Sequence, residues 1–232
     1  MKKKKKGNKK KIRIKFFNIF LFLTFILIII GAVYKIVNLK ITNIYIKNNY
    51  YLTDLEVIET AKIKDYPSTF QNSCKKIEKR LEKNPLIKTA KVKKTYFTRV
   101  YIDIEENPLL FYDANISKIV LKDGTTFSRN YDVPTLINQV PNKVYKKMIT
   151  KFALINPDIL DNISEIKYDP DSVDKERFLL TMSDGNYVYI TLSKCSNINN
   201  YLKYIKEFNN KKGILYLNSG EYFKIMENYV KF

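Results

Sequence analysis

A chain of 232 residues that is 45% hydrophobic and 14% aromatic has enough apolar area for a packed core, which excludes a disordered polypeptide. Its net charge of +19 is uneven: residues 1–15 hold ten Lys or Arg and no acid, leaving 32 basic against 23 acidic residues in the remainder. The absence of His excludes His-dependent triads and most zinc sites, and the only cysteines, Cys74 and Cys195, match no metal spacing.

Phe16 to Tyr34 is an uncharged run of nineteen residues, FFNIFLFLTFILIIIGAVY. As a helix it is about 28 Å long, close to the hydrocarbon thickness of a bilayer. It is apolar all round, whereas a surface helix of a soluble core needs a polar face. Lys35 can snorkel, so the predicted membrane helix covers residues 16–38 and makes the lipid bilayer the first partner. The apolar run is longer than that of a cleaved signal peptide, and Gly31-Ala32-Val33-Tyr34 offers no good small-residue pair after it, so the reading is a retained anchor. Lys2–Lys6, Lys9–Lys11, Arg13 and Lys15 crowd the N-terminal flank, which predicts a cytoplasmic tail over 1–15 and an extracytoplasmic remainder. Nothing in that tail beyond charge points to nucleic acid. The surplus basic charge beyond the anchor suits anionic wall polymers as well as solvent.

Residues 41–46 (ITNIYI) read as a strand, followed by an Asn48-Asn49 turn. Thr53-Asp-Leu-Glu56 is a capping-box pattern that opens a helix to Ala61. Ser68-Thr-Phe-Gln71 repeats the pattern, and from it Phe70, Cys74, Ile77 and Leu81 fall on one helical face. Asn84-Pro85 stops that helix. Ala90, Val92 and Tyr96-Phe97 suggest a strand and Thr98-Arg99 a turn, and Val100, Ile102 and Ile104 alternate as a half-buried strand. Residues 41–107 therefore read β-α-α-β-β.

Residues 108–232 read as β-rich. Ile116–Leu121 is a strand that leads into the hairpin signal Asp123-Gly124. Val144, Met148, Phe152 and Ile155 mark a helix ended by Asn156-Pro157. Ile163–Tyr168 and Arg177–Met182 are strands, and Asp184-Gly185 turns into a third at Tyr187–Leu192. Leu202, Ile205 and Phe208 mark a helix that ends near Gly213, and Ile214–Leu217 is a final strand with Ser219-Gly220 as a turn beyond it.

No catalytic constellation emerges. Glu105 and Glu106 are adjacent on a strand and point to opposite faces. Asp169, Asp171 and Asp174 lack the Gly and Glu of a calcium loop. No phosphate-binding Gly loop or nucleophile elbow is present. No cofactor or metal is expected.

In order behind a single anchor stand ITNIYIKNN with its following helix, NPLIKTAKVKKTYFTRVYIDIEENP (84–108), VLKDGTTF (120–127), MSDGNYVYI (182–190) and LNSGEYF (217–223). In this the chain resembles the FtsQ/DivIB cell-division family, of the Gram-positive DivIB type, over nearly its whole length. It departs from the family's pattern at Asn48-Asn49, where Gly-Asn is common, and at Asn218, where Asp often precedes Ser-Gly. The resemblance implies an α+β protein with a single transmembrane helix, a POTRA domain at 41–107 and a β-rich domain at 108–232. It implies a non-enzymatic scaffold of the division machinery at the septum that binds FtsL and FtsB/DivIC-type partners. The alternative is a membrane-anchored enzyme acting on the cell wall, which would need paired carboxylates or an activated nucleophile in one cleft. By the family's pattern the partner edge maps to Ile214–Phe223, with Leu217, Asn218, Ser219 and Gly220 in its motif. Tyr222 and Phe223 are added as aromatic anchors, because aromatics dominate interface energetics.

Overall fold

The computed structural model describes residues 16–209 and 211–226, so the basic tail at 1–15 lies outside the described residues. Helix α1 (Phe16–Val37) has no buried side chain and ends one residue short of the expected boundary. It is the one described helix long and apolar enough to cross a membrane.

Two compact units follow from the packing. The first takes in the described residues up to Lys47 together with 54–81 and 91–103. Strand β1 (Asn43–Lys47), helices α2 (Asp54–Ala61) and α3 (Cys74–Leu81), and strands β2 (Ile87–Thr95) and β3 (Arg99–Glu106) succeed one another in the expected β-α-α-β-β order. The sheet order is β1-β3-β2, with β1 parallel to β3 and Ile44 opposite Val100. Val100, Ile102 and Ile104 are buried, as the alternation requires, and within this unit Val57, Ala61, Ile77 and Leu81 supply the helical side of the core. Arg80 Nη1 locks α3 to the end of α2 by donating to the Ala61 carbonyl (2.9 Å) and Asn72 Oδ1 (2.8 Å).

Two local boundaries differ from expectation here. Residues Ser68–Gln71 do not open a helix: Ser68 bridges Lys40 in an isolated strand contact, and its Oγ donates to the Val37 carbonyl (2.5 Å). The helix starts at Cys74, after Ser73, whose carbonyl accepts from Lys76 N and Ile77 N, and Phe70 is exposed. Tertiary contacts to residues 37–40 capture the segment that a local capping rule assigned to a helix. The turn between β2 and β3 spans 96–98, so it begins two residues earlier than expected and ends before Arg99, with Tyr96 and Phe97 at positive φ (50° and 60°).

The second unit takes in 48–53, 82–90 and the described residues from 104 onward. It contains a nine-stranded sheet built from β4 (Leu109–Asp113), β5 (Lys118–Leu121), β6 (Thr126–Phe127), β7 (Thr135–Leu136), β8 (Ile163–Tyr168), β9 (Arg177–Met182), β10 (Tyr187–Thr191), β11 (Gly213–Tyr216) and β12 (Tyr222–Ile225). The order across it is β12-β11-β10-β9-β8-β7-β4-β5-β6. Helices α4 (Asn142–Phe152), α5 (Pro157–Leu160) and α6 (Tyr201–Glu207), with a 3-10 segment at Leu192–Asn200, share one core with the strands, including Phe111, Met148, Phe152, Phe178, Ile198 and Leu215. The two Asp-Gly signals are turns, with Gly124 and Gly185 both at φ 85°. Glu106 Oε2 accepts from the backbone N–H groups of Tyr50 (2.9 Å) and Tyr51 (2.7 Å), while its Oε1 accepts from Leu52 N (3.0 Å). Its neighbour Glu105 pairs with Lys88 at 2.6 Å. On α6 the expected apolar face is shifted: Leu202 is exposed, while Tyr201 and Ile205 are buried. The reason is polar anchoring. Tyr201 Oη donates to Asp184 Oδ2 (2.7 Å) and accepts from Asn186 Nδ2 (3.0 Å), which pulls its ring under the sheet. Burial, then the bond to Asp184, pushes the Tyr201 phenol pKa far up, so it stays a donor at physiological pH.

Candidate partner interface

The last two strands determine the geometry of the C-terminal sheet edge. Strand β11 runs parallel to β10, and β12 lies antiparallel on the outside of β11, with Tyr216 opposite Tyr222 and Gly213 opposite Ile225. Leu217 N donates to Tyr189 O (2.8 Å) and Gly213 N to Asn186 Oδ1 (2.9 Å), so the odd-numbered residues of β11 face β10. Ile214 and Tyr216 therefore face β12. Met226 N donates to Lys212 O (3.0 Å), which fixes the alternation on β12: Tyr222 and Lys224 turn their backbone groups inward, and Phe223 and Ile225 turn theirs outward.

Within the expected edge Ile214–Phe223, β11 is covered, and among the described residues the outermost strand is β12, which carries the expected Tyr222 and Phe223. Leu217 is fully buried, Asn218 and Gly220 are half-buried, and Ser219 is exposed. Asn218 Oδ1 is buried without a hydrogen-bond partner, the one such side-chain atom among the described residues. Tyr222 and Phe223, adjacent on a strand, point to opposite faces. Phe223 packs on the core and stacks on Phe208 with ring centroids 4.5 Å apart. Tyr222 is half-exposed and stacks on Tyr216 at 4.5 Å and 8°. Tyr216 stacks on Tyr189, whose ring lies 4.8 Å from the Arg177 guanidinium. A ladder Arg177-Tyr189-Tyr216-Tyr222 crosses four strands and ends on β12. In the sequence its tyrosines mark only strands (Tyr189, Tyr216) and an aromatic anchor (Tyr222).

Gly213 explains why β12 can close so tightly. A Cβ there would stand 2.4 Å from the Lys224 carbonyl oxygen and 2.6 Å from Phe223 Cζ. Of the three acids around Pro170, Asp169 (2.8 Å) and Asp171 (2.5 Å) bond Arg177, and Asp174 accepts from Glu176 N (2.9 Å). Among the described residues no group of three or more His, Cys, Asp or Glu is placed to hold a metal. Both cysteines are free thiols, and burial pushes the Cys195 pKa up to about 12.

One apolar helix, a β-α-α-β-β unit and a β-rich sheet that ends, among the described residues, at β12 fit a single-pass membrane protein. Residues 39–107 match the family of the FtsQ-type POTRA domain. The chain is similar to the cell division protein DivIB of Bacillus subtilis (strain 168), 27% identical over 214 residues, covering 88% of this chain and 81% of that one. It is 25% identical to DivIB of Bacillus cytotoxicus over 98% of this chain and 92% of that one, and 29% identical to DivIB of Listeria monocytogenes over 80% and 72%. The major extracytoplasmic domain of the trans isomer of DivIB from Geobacillus stearothermophilus is a solved likeness, 19% identical with a TM-score of 0.38, covering 46% of this chain and 97% of that one. Residues 39–107 thus carry an FtsQ-type POTRA domain, and the chain is similar over most of its length to DivIB cell division proteins.

Proposed function

We propose that this protein is a non-enzymatic, bitopic scaffold of the division machinery that captures FtsL and FtsB/DivIC-type single-pass partners by strand addition at β12. The N-terminus is cytoplasmic, residues 41–107 and 108–232 are the working domains outside, and the site of action is the division septum. The observation that carries this reading is the outward row of backbone donors and acceptors at Phe223 and Ile225, beside an exposed Tyr222. Anionic wall polymers are a secondary partner suited to the basic surface.

Proline distinguishes an outward from an inward backbone position. Ile225→Pro removes an N–H that faces away from β11, a placement that edge strands tolerate. It should abolish capture of a DivIC-type partner while leaving circular dichroism unchanged. Tyr222→Pro removes an N–H that faces Tyr216 and should detach β12 itself, so it is the poorer probe. Tyr222→Ala should weaken binding by about 1–3 kcal/mol as a lost anchor. Wild-type binding by a folded Ile225→Pro variant would remove β12 as the site.

A further inference from the structure

Within the first unit, four bulky aromatics are exposed close together in the fold: Tyr96 (80%), Phe97 (69%), Tyr66 (51%) and Phe70 (47%). Phe70 and Phe97 stack with centroids 6.4 Å apart, and the Arg99 guanidinium lies 5.3 Å from the Tyr96 ring. Tyr66, Tyr96 and Phe97 hold positive φ (52°, 50° and 60°), a conformation that suits Gly or Asn and strains bulky residues. A two-residue hairpin turn of Asn-Gly would relieve the strain and hide nothing apolar. The chain instead spends conformational energy on presenting rings to the exterior.

Hydrogen bonds tie this cluster to the end of the membrane helix. Ser68 Oγ donates to the Val37 carbonyl, Thr69 N donates to Leu39 O (2.8 Å), and Thr69 Oγ1 donates to Phe97 O. Ile41 N donates to Pro67 O (3.0 Å) and Thr42 N to Thr98 O (2.9 Å), so both loops are bound to the segment that leaves the helix. The 22 residues of α1 span about 33 Å, slightly more than a hydrocarbon core, so its last turn lies at headgroup level. Whatever is bonded to residues 37–42 shares that level.

We infer that loop 66–70 and the 96–97 hairpin tip form an aromatic collar that inserts into the lipid interface at the C-terminal end of α1. The occupant of this apolar patch is the membrane that the helix spans. Tyr and Phe rings partition at that depth, with Lys40 and Arg99 placed for headgroup phosphates. The collar fixes the tilt of the first unit on the bilayer, where a lone helix and flexible linker would leave it free to swing.

The inference rests on α1 spanning the membrane, and a test can separate the two. The chain has no Trp, so one introduced indole reports its own depth. The full chain in nanodiscs is prepared as Phe97→Trp, Tyr96→Trp, Phe25→Trp within α1, and Val173→Trp at a site 92% exposed. Phe97→Trp or Tyr96→Trp should show blue-shifted emission and loss of intensity with lipids brominated high on the acyl chain, in neutral and anionic bilayers alike. Val173→Trp should show neither, and Phe25→Trp should be quenched by lipids brominated mid-chain. Failure of Phe25→Trp alone would overturn the spanning reading. With Phe25→Trp quenched, solvent-like emission from both collar variants would overturn the collar. A blue shift seen only at high protein-to-lipid ratio would assign the patch to a second copy and overturn it equally. The two collar positions guard against a substitution that distorts the hairpin.

Discussion

Single residues in this chain do more than their type suggests, and Gly213 is the clearest case. Its missing Cβ lets the Lys224 carbonyl and the Phe223 ring close onto β11. Gly213→Ala should therefore loosen β12 at a cost of about 1–3 kcal/mol, with faster amide exchange confined to 213–226 and weaker partner capture. Asp171 shows a different dependence. Backbone hydrogen bonds from Asp174 and Val173 hold its pKa below the ordinary carboxylate value of 3.8, with Arg177 adding to the effect. Because the folded value is depressed, its stabilisation is present above 3.8 and is lost as pH falls through the folded value. Asp171→Asn should flatten the acid limb of thermal stability while barely changing its alkaline limb. The cysteines should divide by accessibility: Cys74 is half-exposed and Cys195 buried with its thiol held protonated, so native alkylation should label Cys74 alone, read by intact mass.

At the level of elements, sequence periodicity predicted what depends on one buried face. Strands β8 and β9 fall at the expected residues, and the Val100-Ile102-Ile104 alternation is the core side of β3. Ile102→Asp should bury an unpaired charge and cost more than about 3 kcal/mol, seen as lost protease protection across the first unit. Strand β4 went unread because Leu109–Asp113 is buried at four of five positions and shows no period. The helix expected from Ser68 starts later, and the turn expected at Thr98-Arg99 is shifted to 96–98, for a shared reason. Contacts with the end of α1 override local capping and turn preference, and such contacts leave no local pattern. The proposed partner edge is legible only as a motif order. Which backbone groups face outward depends on the pairing of β12 with β11, and that follows from register rather than residue type.

At the scale of the whole molecule, the apolar helix and its basic flank carry predictions of their own. The charge bias of residues 1–15 over the far flank predicts that a reporter active only outside the cytoplasm works after Phe232 and fails before Met1. Replacing the Lys cluster with Gln should scramble orientation while leaving the folded units intact, which protease accessibility on either side of the membrane would show. Membrane-bound chain recovered from cells should retain residues 1–39 by intact mass, since no good cleavage site follows the apolar run.

The parallel pairing of β1 with β3 also sets a sequence of events in time. Each residue of β1 meets a partner 56 positions later in the chain, from Asn43 with Arg99 to Lys47 with Asp103. Contacts that distant require a long loop to close before any ladder bond is gained, so β1 cannot nucleate alone. During synthesis the first strand beyond the membrane must wait, unpaired, until residue 103 has emerged. The hairpin of β2 and β3, joined by a short turn, can assemble first and then receive β1. Through that interval β1, with its Ile44, Tyr45 and Ile46, is a strand without a sheet and so open to mispairing.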